Sequence, residues 1–212
     1  MTTLTALKAQ IADDLARDDL TTQIAAAITQ AIEFYKEERL FWTETRAETF
    51  ATVASQSAYT VSDDAAIPLF IKIDDVMLQD SSSIEYGPLE RADQVVMEQL
   101  LDDGSATGRP DTWSYYNDTL YFYPVPDAVY TVRPMGQIEV AAPSTDVETG
   151  NKWMTKGYEL IRCKAKGYIF LHTVKDPNQA VAMEAAAQAE LAKLRRDTSK
   201  RTATGRIKAT CF

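Results

Sequence analysis

His172 is the only histidine of the chain, so any Ser-His or Cys-His nucleophile pair must use it. Cys163 stands nine residues earlier. Within one helix that separation is about two and a half turns, too far for a hydrogen bond. The apolar periodicity around His172 predicts a core or interface histidine. One histidine and two distant cysteines, Cys163 and Cys211, do not make a zinc set. No Gly-x-Gly-x-x-Gly or Walker-type loop is present to cradle a phosphate. The adjacent carboxylates Glu37-Glu38 and Asp74-Asp75 have the residue types of a glycoside hydrolase, which uses a raised-pKa acid and a partner carboxylate. Adjacency in sequence does not give two carboxyls that face one another across a cleft. Their expected roles are a solvated helix face and a β-bulge. A cell-wall hydrolase is therefore a minor alternative, and the sequence predicts no enzyme, no cofactor and no metal.

A second cluster is aromatic. Trp113, Tyr115, Tyr116, Tyr121, Phe122 and Tyr123 lie in two short runs split by Asn117-Asp118. Such rings stack on bases in single-strand-binding proteins. On successive strands they more often fill a core or a subunit interface. Asn and Asp tolerate the positive φ of a tight hairpin. Pro124 and Pro126 end the ladder and steer the chain onward. Residues 109–132 thus read as three consecutive antiparallel strands.

Charge divides the chain. Residues 193–212 hold seven Lys and Arg against Asp197, a formal +6, so the other residues carry −15 of a total of −9. Phosphate neutralisation dominates nucleic-acid affinity, so the acidic body is a poor DNA grip. The basic tail fits DNA or an acidic protein surface. A nucleic-acid-binding module acting through the tail is one alternative function, and it predicts a steep salt dependence lost with the tail. The two distant cysteines suggest a reducing compartment and no disulfide framework. No apolar run approaches the roughly 20 residues that span a bilayer, and the N-terminus lacks the layout of a secretory signal.

The elements that carry these residues follow from periodicity. Leu4, Leu7, Ile11 and Leu15 put one face on a helix over residues 3–16. Leu20, Ile24, Ala27, Ile28, Ala31, Ile32 and Tyr35 do so over 20–40, with Asp19 or Thr21 as its cap. Alternation then predicts strands at 48–53, 57–61 and 69–78, with a slip of phase at Asp74-Asp75, and another near 83–86. A helix is expected over 90–102, facing inward through Ala92, Val95, Val96, Gln99 and Leu100. Helix returns from Trp153 to about Val174. Asp176-Pro177 caps and starts another, with Ala180, Met183, Ala187, Leu191 and Leu194 inward. From 196 the apolar pattern ends and a disordered tail is expected. The fold class is α+β: N- and C-terminal helices (1–42 and 139–195) form a bundle, an antiparallel β domain (43–138) is inserted, and 196–212 extend from it.

Four segments resemble phage head-to-tail connector proteins, the adaptors (tail accessory factors) that dock under the portal. They are Leu4–Leu20 with the helix after it; Phe41-Trp42-Thr-Glu-Thr-Arg46 leading to Phe50–Val61; Gly108–Trp113 with Leu120–Val132; and Asn151-Lys-Trp-Met-Thr155 leading to the helical pair that ends near Arg195. Order and spacing, rather than any single motif, carry the likeness over nearly the whole chain. The acidic segment Ser62–Pro68 is longer than the simple turn of the pattern.

The resemblance implies a structural virion protein of the phage neck, assembled in the host cytoplasm. Adaptors of this kind form a ring, typically of twelve copies, between the portal and the tail or nozzle protein. DNA passes through the channel without specific binding, and no membrane is involved. A tail terminator or stopper ring is the alternative within the class. Arg195, Arg196, Lys200, Arg201, Arg206, Lys208 and Phe212 are the expected portal-binding residues. Trp113, Tyr115, Tyr121 and Tyr123 are the expected subunit or tail contacts.

Overall fold

A computed structural model describes residues 2–103 and 106–202. Along them run α1 (Leu4–Leu15), α2 (Thr21–Tyr35), β1 (Glu44–Thr45), β2 (Phe50–Ala51), β3 (Ala58–Tyr59), β4 (Phe70–Gln79), β5 (Glu85–Tyr86) and β6 (Glu90–Arg91). Then follow α3 (Gln94–Asp102), β7 (Thr107–Gly108), β8 (Thr112–Tyr116), β9 (Thr119–Tyr123), β10 (Val125–Pro126), β11 (Thr131–Ile138), α4 (Lys152–Thr155), α5 (Tyr158–Ile169) and α6 (Pro177–Thr202). The class is α+β, with helices at both ends of the described chain. Two compact units result: Met1–Trp42 with Val140–Phe212, and Thr43–Glu139.

In the helical unit, Thr3 caps α1 through Oγ1, which accepts from the Ala6 amide, and Ala16 closes the helix in the left-handed region at φ 49°. Leu7 and Ile11 are buried as their spacing requires. All six inward residues of α2, from Ile24 to Tyr35, are buried. Removing each of the three isoleucines among them from water is worth about 1.5–3 kcal/mol. Neither expected cap of α2 acts: Leu20 holds the cap position without a side-chain bond, and Asp19 is paired with Arg17 at 2.7 Å. Asp14 on α1 accepts ion pairs from Arg162 at 2.7 Å and Lys166 at 3.1 Å, both on α5. Gly157 breaks the expected 153–174 helix into α4 and α5, and α5 runs out through a π-turn at Phe170–Val174. Asp176 caps α6 as expected; its Oδ1 accepts from the amides of Asn178 and Gln179, each at 3.1 Å.

In the β unit, one sheet has the order β1-β11-β4-β5 with β2 also on β11, and a second has β3-β9-β8-β6. The β8–β9 hairpin turns at Asn117 and Asp118, both at positive φ (50° and 55°). This is the twist-matched two-residue turn. The third strand of the expected antiparallel series is corrected. After β9 the chain passes through β10, parallel to β7, and β11 joins β4 in the other sheet. The cis Tyr123-Pro124 bond stands at that change of direction.

The expected slip in β4 is present. Met135 pairs with Asp75 but Gly136 with Ile73, leaving Asp74 as the extra residue. A second irregularity leaves out Ile71, because Gln137 pairs with Lys72 and Ile138 with Phe70. Sequence alternation put Leu69, Ile71 and Ile73 on one face. The second bulge instead turns Phe70 and Ile73 inward and exposes Leu69 and Ile71. Gly136 sits opposite the first bulge, where a Cβ would meet the Lys72 carbonyl oxygen at 2.1 Å. Only glycine fits there. Helix α3 is also corrected: it starts at Gln94, buries Met97, and leaves Val95 and Val96 exposed. Met97 is its one fully buried residue, while Leu100 and Leu101 are half-buried.

Candidate assembly surface

The residues that hinted at chemistry are dispersed. Glu38 is engaged by Arg195, whose Nε lies 3.1 Å from its carboxylate. Asp74 sits at the bulge, 3.0 Å from Lys72 Nζ. His172 is exposed on the π-turn and stacks on Tyr168 at 6.4 Å; of the two expected positions, core or interface, the core one is corrected, because the wider turn carries the ring outward. Cys163 is half-buried, and burial pushes its thiol pKa up. Among the described residues no group of three His, Cys, Asp or Glu could hold a metal ion, and no helix is long and apolar enough to cross a membrane.

The basic end of α6 is the first surface of interest. The extended segment expected from residue 196 is helical as far as Thr202. The reason is a contact that apolar periodicity does not register. Thr198 Oγ1 accepts from the Phe41 amide at 3.0 Å and donates to the Leu194 carbonyl at 2.9 Å. Thr198 is buried, so it continues the inward row of Ala187, Leu191 and Leu194 with a polar residue. The spacing 187, 191, 194, 198 was the available signal. Arg201 lies over the Phe41 ring, 3.8 Å from its centroid, and Arg195 holds Glu38. Cations at a helix C-terminus also complement its dipole. Arg196 and Lys200 are exposed and carry no ion pair among the described residues. Arg206, Lys208 and Phe212 lie outside the described residues.

The sheet aromatics divide by face. Trp113 has no exposed surface (0%), and its Nε1 donates to the Leu89 carbonyl at 3.2 Å. It is core and cannot be a subunit or tail contact. Tyr115 spends its hydroxyl internally, within 3.0 Å of the Ile67 carbonyl and 3.1 Å of that of Phe70. Burial, with the Asp118 carboxylate beside it, pushes its pKa up to about 12. On β9, Leu120 and Phe122 face inward, while Tyr121 and Tyr123 alternate to the half-buried side. Tyr116, absent from the expected contacts, is the most exposed ring of the hairpin.

A groove on the helical unit was not legible in the sequence. Gln23, Ala26, Ala27, Gln30, Glu33 and Phe34 of α2 line it at helical spacing, opposite Tyr168 and His172. Its end is built on Lys164, whose side chain is only 7% exposed. The Lys164 ammonium lies 2.9 Å from Glu184 and 4.0 Å from the centroid of the Phe34 ring. Burial alone would raise the Glu184 pKa, but the hydrogen bonds from Lys164 and Gln188 outweigh it and hold the carboxyl below its usual range. Phe34 itself is 56% exposed. A buried cation thus supports an exposed ring.

A family model described as SU10 adaptor protein matches residues 2–208. No curated protein matches the chain.

Proposed function

The chain belongs to the SU10 adaptor protein family, and from that premise we propose that it is the structural ring that joins the portal to the tail or nozzle in a phage neck. The observation that carries this reading is the family match over residues 2–208. The ring is of about twelve copies, as in head-to-tail adaptors generally, and DNA passes through it. An acidic body supports the channel role, because like charge lets a duplex slide without sticking. The role is mechanical, and no residue is assigned to catalysis.

Portal docking is proposed for the basic C-terminal end. Among the described residues Arg196 and Lys200 are the α6 cations without an ion pair, with Arg206, Lys208 and Phe212 beyond in sequence. Arg195 and Arg201 contribute less, since Glu38 and Phe41 already hold them. One such end binds weakly, but a ring engages many at once, and linked binding events multiply. Self-repulsion of the acidic body keeps the isolated protein monomeric until the portal templates the ring. Tyr121 and Tyr123 are proposed as contacts to a neighbouring subunit or the tail protein. A chain ending at Thr202 and bearing Arg196→Gln and Lys200→Gln tests the docking role while leaving the Thr198–Phe41 contact in place. Loss of portal co-sedimentation is expected, and undiminished docking overturns it. Light scattering of the isolated protein at low salt tests the second point, and a stable dodecamer there contradicts it.

A further inference from the structure

The helical unit carries two open faces on different helices. One is the groove along α2, from Gln23 to Phe34, with Tyr168 and His172 as its far wall. The other is the outer face of α6. That helix packs on the rest of its unit through Ala180, Ala187, Leu191 and Leu194. On its opposite side Ala182, Ala185, Ala189 and Ala192 are exposed at spacings of three and four, with Val181 exposed beside the first. Val181 is 70% exposed. A face of Ala and Val is narrow enough for two helix backbones to approach closely, and ridges of one helix seat in grooves of another.

The two faces match in length and charge. Gln23 to Phe34 and Val181 to Ala192 are each twelve residues long, eleven steps of helical rise or about 16 Å. Of the five carboxylates of residues 17–39, Asp19, Glu33 and Glu38 are already held by Arg17, Lys36 and Arg195, whereas Asp18, five residues before Gln23, has no ion pair among the described residues. Residues 193–202, which continue the α6 face, hold five cations against one carboxylate. Arg196 and Lys200 extend the alanine row by one turn and two, and both are exposed without an ion pair among the described residues.

We propose that the exposed alanine face of α6 in one copy seats in the α2 groove of a second copy. The contact deepens the ring described above and rests on that reading. Because the two faces differ, the contact is heterologous, and such contacts close into rings or run on as filaments. Arg196, the first cation past the alanine row, then meets Asp18 ahead of the neighbour's α2, which offsets part of the body's self-repulsion and helps fix which face meets which, while the residues beyond it remain for the portal.

The test is site-specific photo-crosslinking with the full chain. A photoreactive p-benzoylphenylalanine at Ala185, an exposed position, is mixed with isotopically heavy wild-type chain. Capture is mapped by mass spectrometry with the protein alone at high concentration, and again with the portal protein. Capture of heavy peptides from 23–34 or 168–173 is expected in at least one condition. A heavy chain bearing Ala26→Arg lowers that capture about tenfold, the equivalent of about 1.4 kcal/mol. Intermolecular capture elsewhere, or capture within the same chain only in both conditions, overturns the inference. Portal docking with capture elsewhere leaves the adaptor reading standing. Groove capture in the concentrated protein without portal docking does the reverse.

Discussion

The Phe41 amide donates to Thr198 Oγ1 at 3.0 Å, across 157 residues of chain. This one bond fastens the last turns of α6 to the segment that follows α2. It turns the root of a basic tail into a fixed helix. The cations that follow Thr198 therefore leave from a defined place, and the Arg201 guanidinium over the Phe41 ring reinforces it.

Thr198→Val should destabilise the helical unit by about 1–3 kcal/mol, because the Phe41 amide loses its acceptor while the shape is kept. Thr198→Ser should recover most of that. Urea unfolding followed by helical circular dichroism measures both. Equal stability of Thr198→Val and wild type contradicts the assigned role.

Gly136→Ala should cost about 3 kcal/mol or more, since the added methyl meets the Lys72 carbonyl oxygen at 2.1 Å and backbone must move. The loss should be visible in the near-ultraviolet signal of Trp113, which is buried in the same β unit. A neutral substitution would show that the bulge at Asp74 is placed wrongly.

Breaking the Lys164–Glu184 pair should be asymmetric. Glu184→Ala strands an ammonium that is 7% exposed, whereas Lys164→Met strands a carboxylate that is 43% exposed and can be hydrated. Glu184→Ala is therefore expected to be the more destabilising, by about 1 kcal/mol or more. The three rings around the ammonium moderate the difference without removing it. Thermal unfolding of the two variants decides, and the reverse order would contradict the burial argument.

Acid should loosen the contact of α1 with α5. Burial acts to raise the Asp14 pKa, but Arg162 and Lys166 outweigh it and hold the carboxyl below its ordinary value. A carboxyl lowered in the folded state adds stability above its unfolded pKa of about 3.9, and that stability is lost as pH falls through the folded value. Asp14→Asn should thus flatten the stability profile below about pH 5 while lowering stability at pH 7. An unchanged acid slope would rule out Asp14 as a contributor.

Much of the helical unit was legible because its signals are local. Leu4, Leu7, Ile11 and Leu15 set α1, and Asp176-Pro177 set the start of α6 through a cap that works within three residues. The Asn117-Asp118 hairpin was equally local. What failed depended on partners distant in sequence. Ile71 faces outward because a second register shift, between Gln137 and Ile138 of β11, leaves this β4 residue without a partner. His172 is exposed because the end of α5 widens into a π-turn. Thr198 is inward because Phe41 needs an acceptor, and a polar residue in an apolar row reads as the row's end. The groove is the combined product of α2 and α5, so no single segment announces it. Lys164 in particular has the composition of a surface residue and the position of a core one.

The central claim is that this chain seats under a portal as a ring. Electron microscopy of the purified protein mixed with its portal tests it most directly. A closed ring of this chain capping the narrow end of the portal, with an open channel on its axis, is the expected result. Portal particles that remain bare at saturating protein, or single copies bound without ring closure, would contradict it.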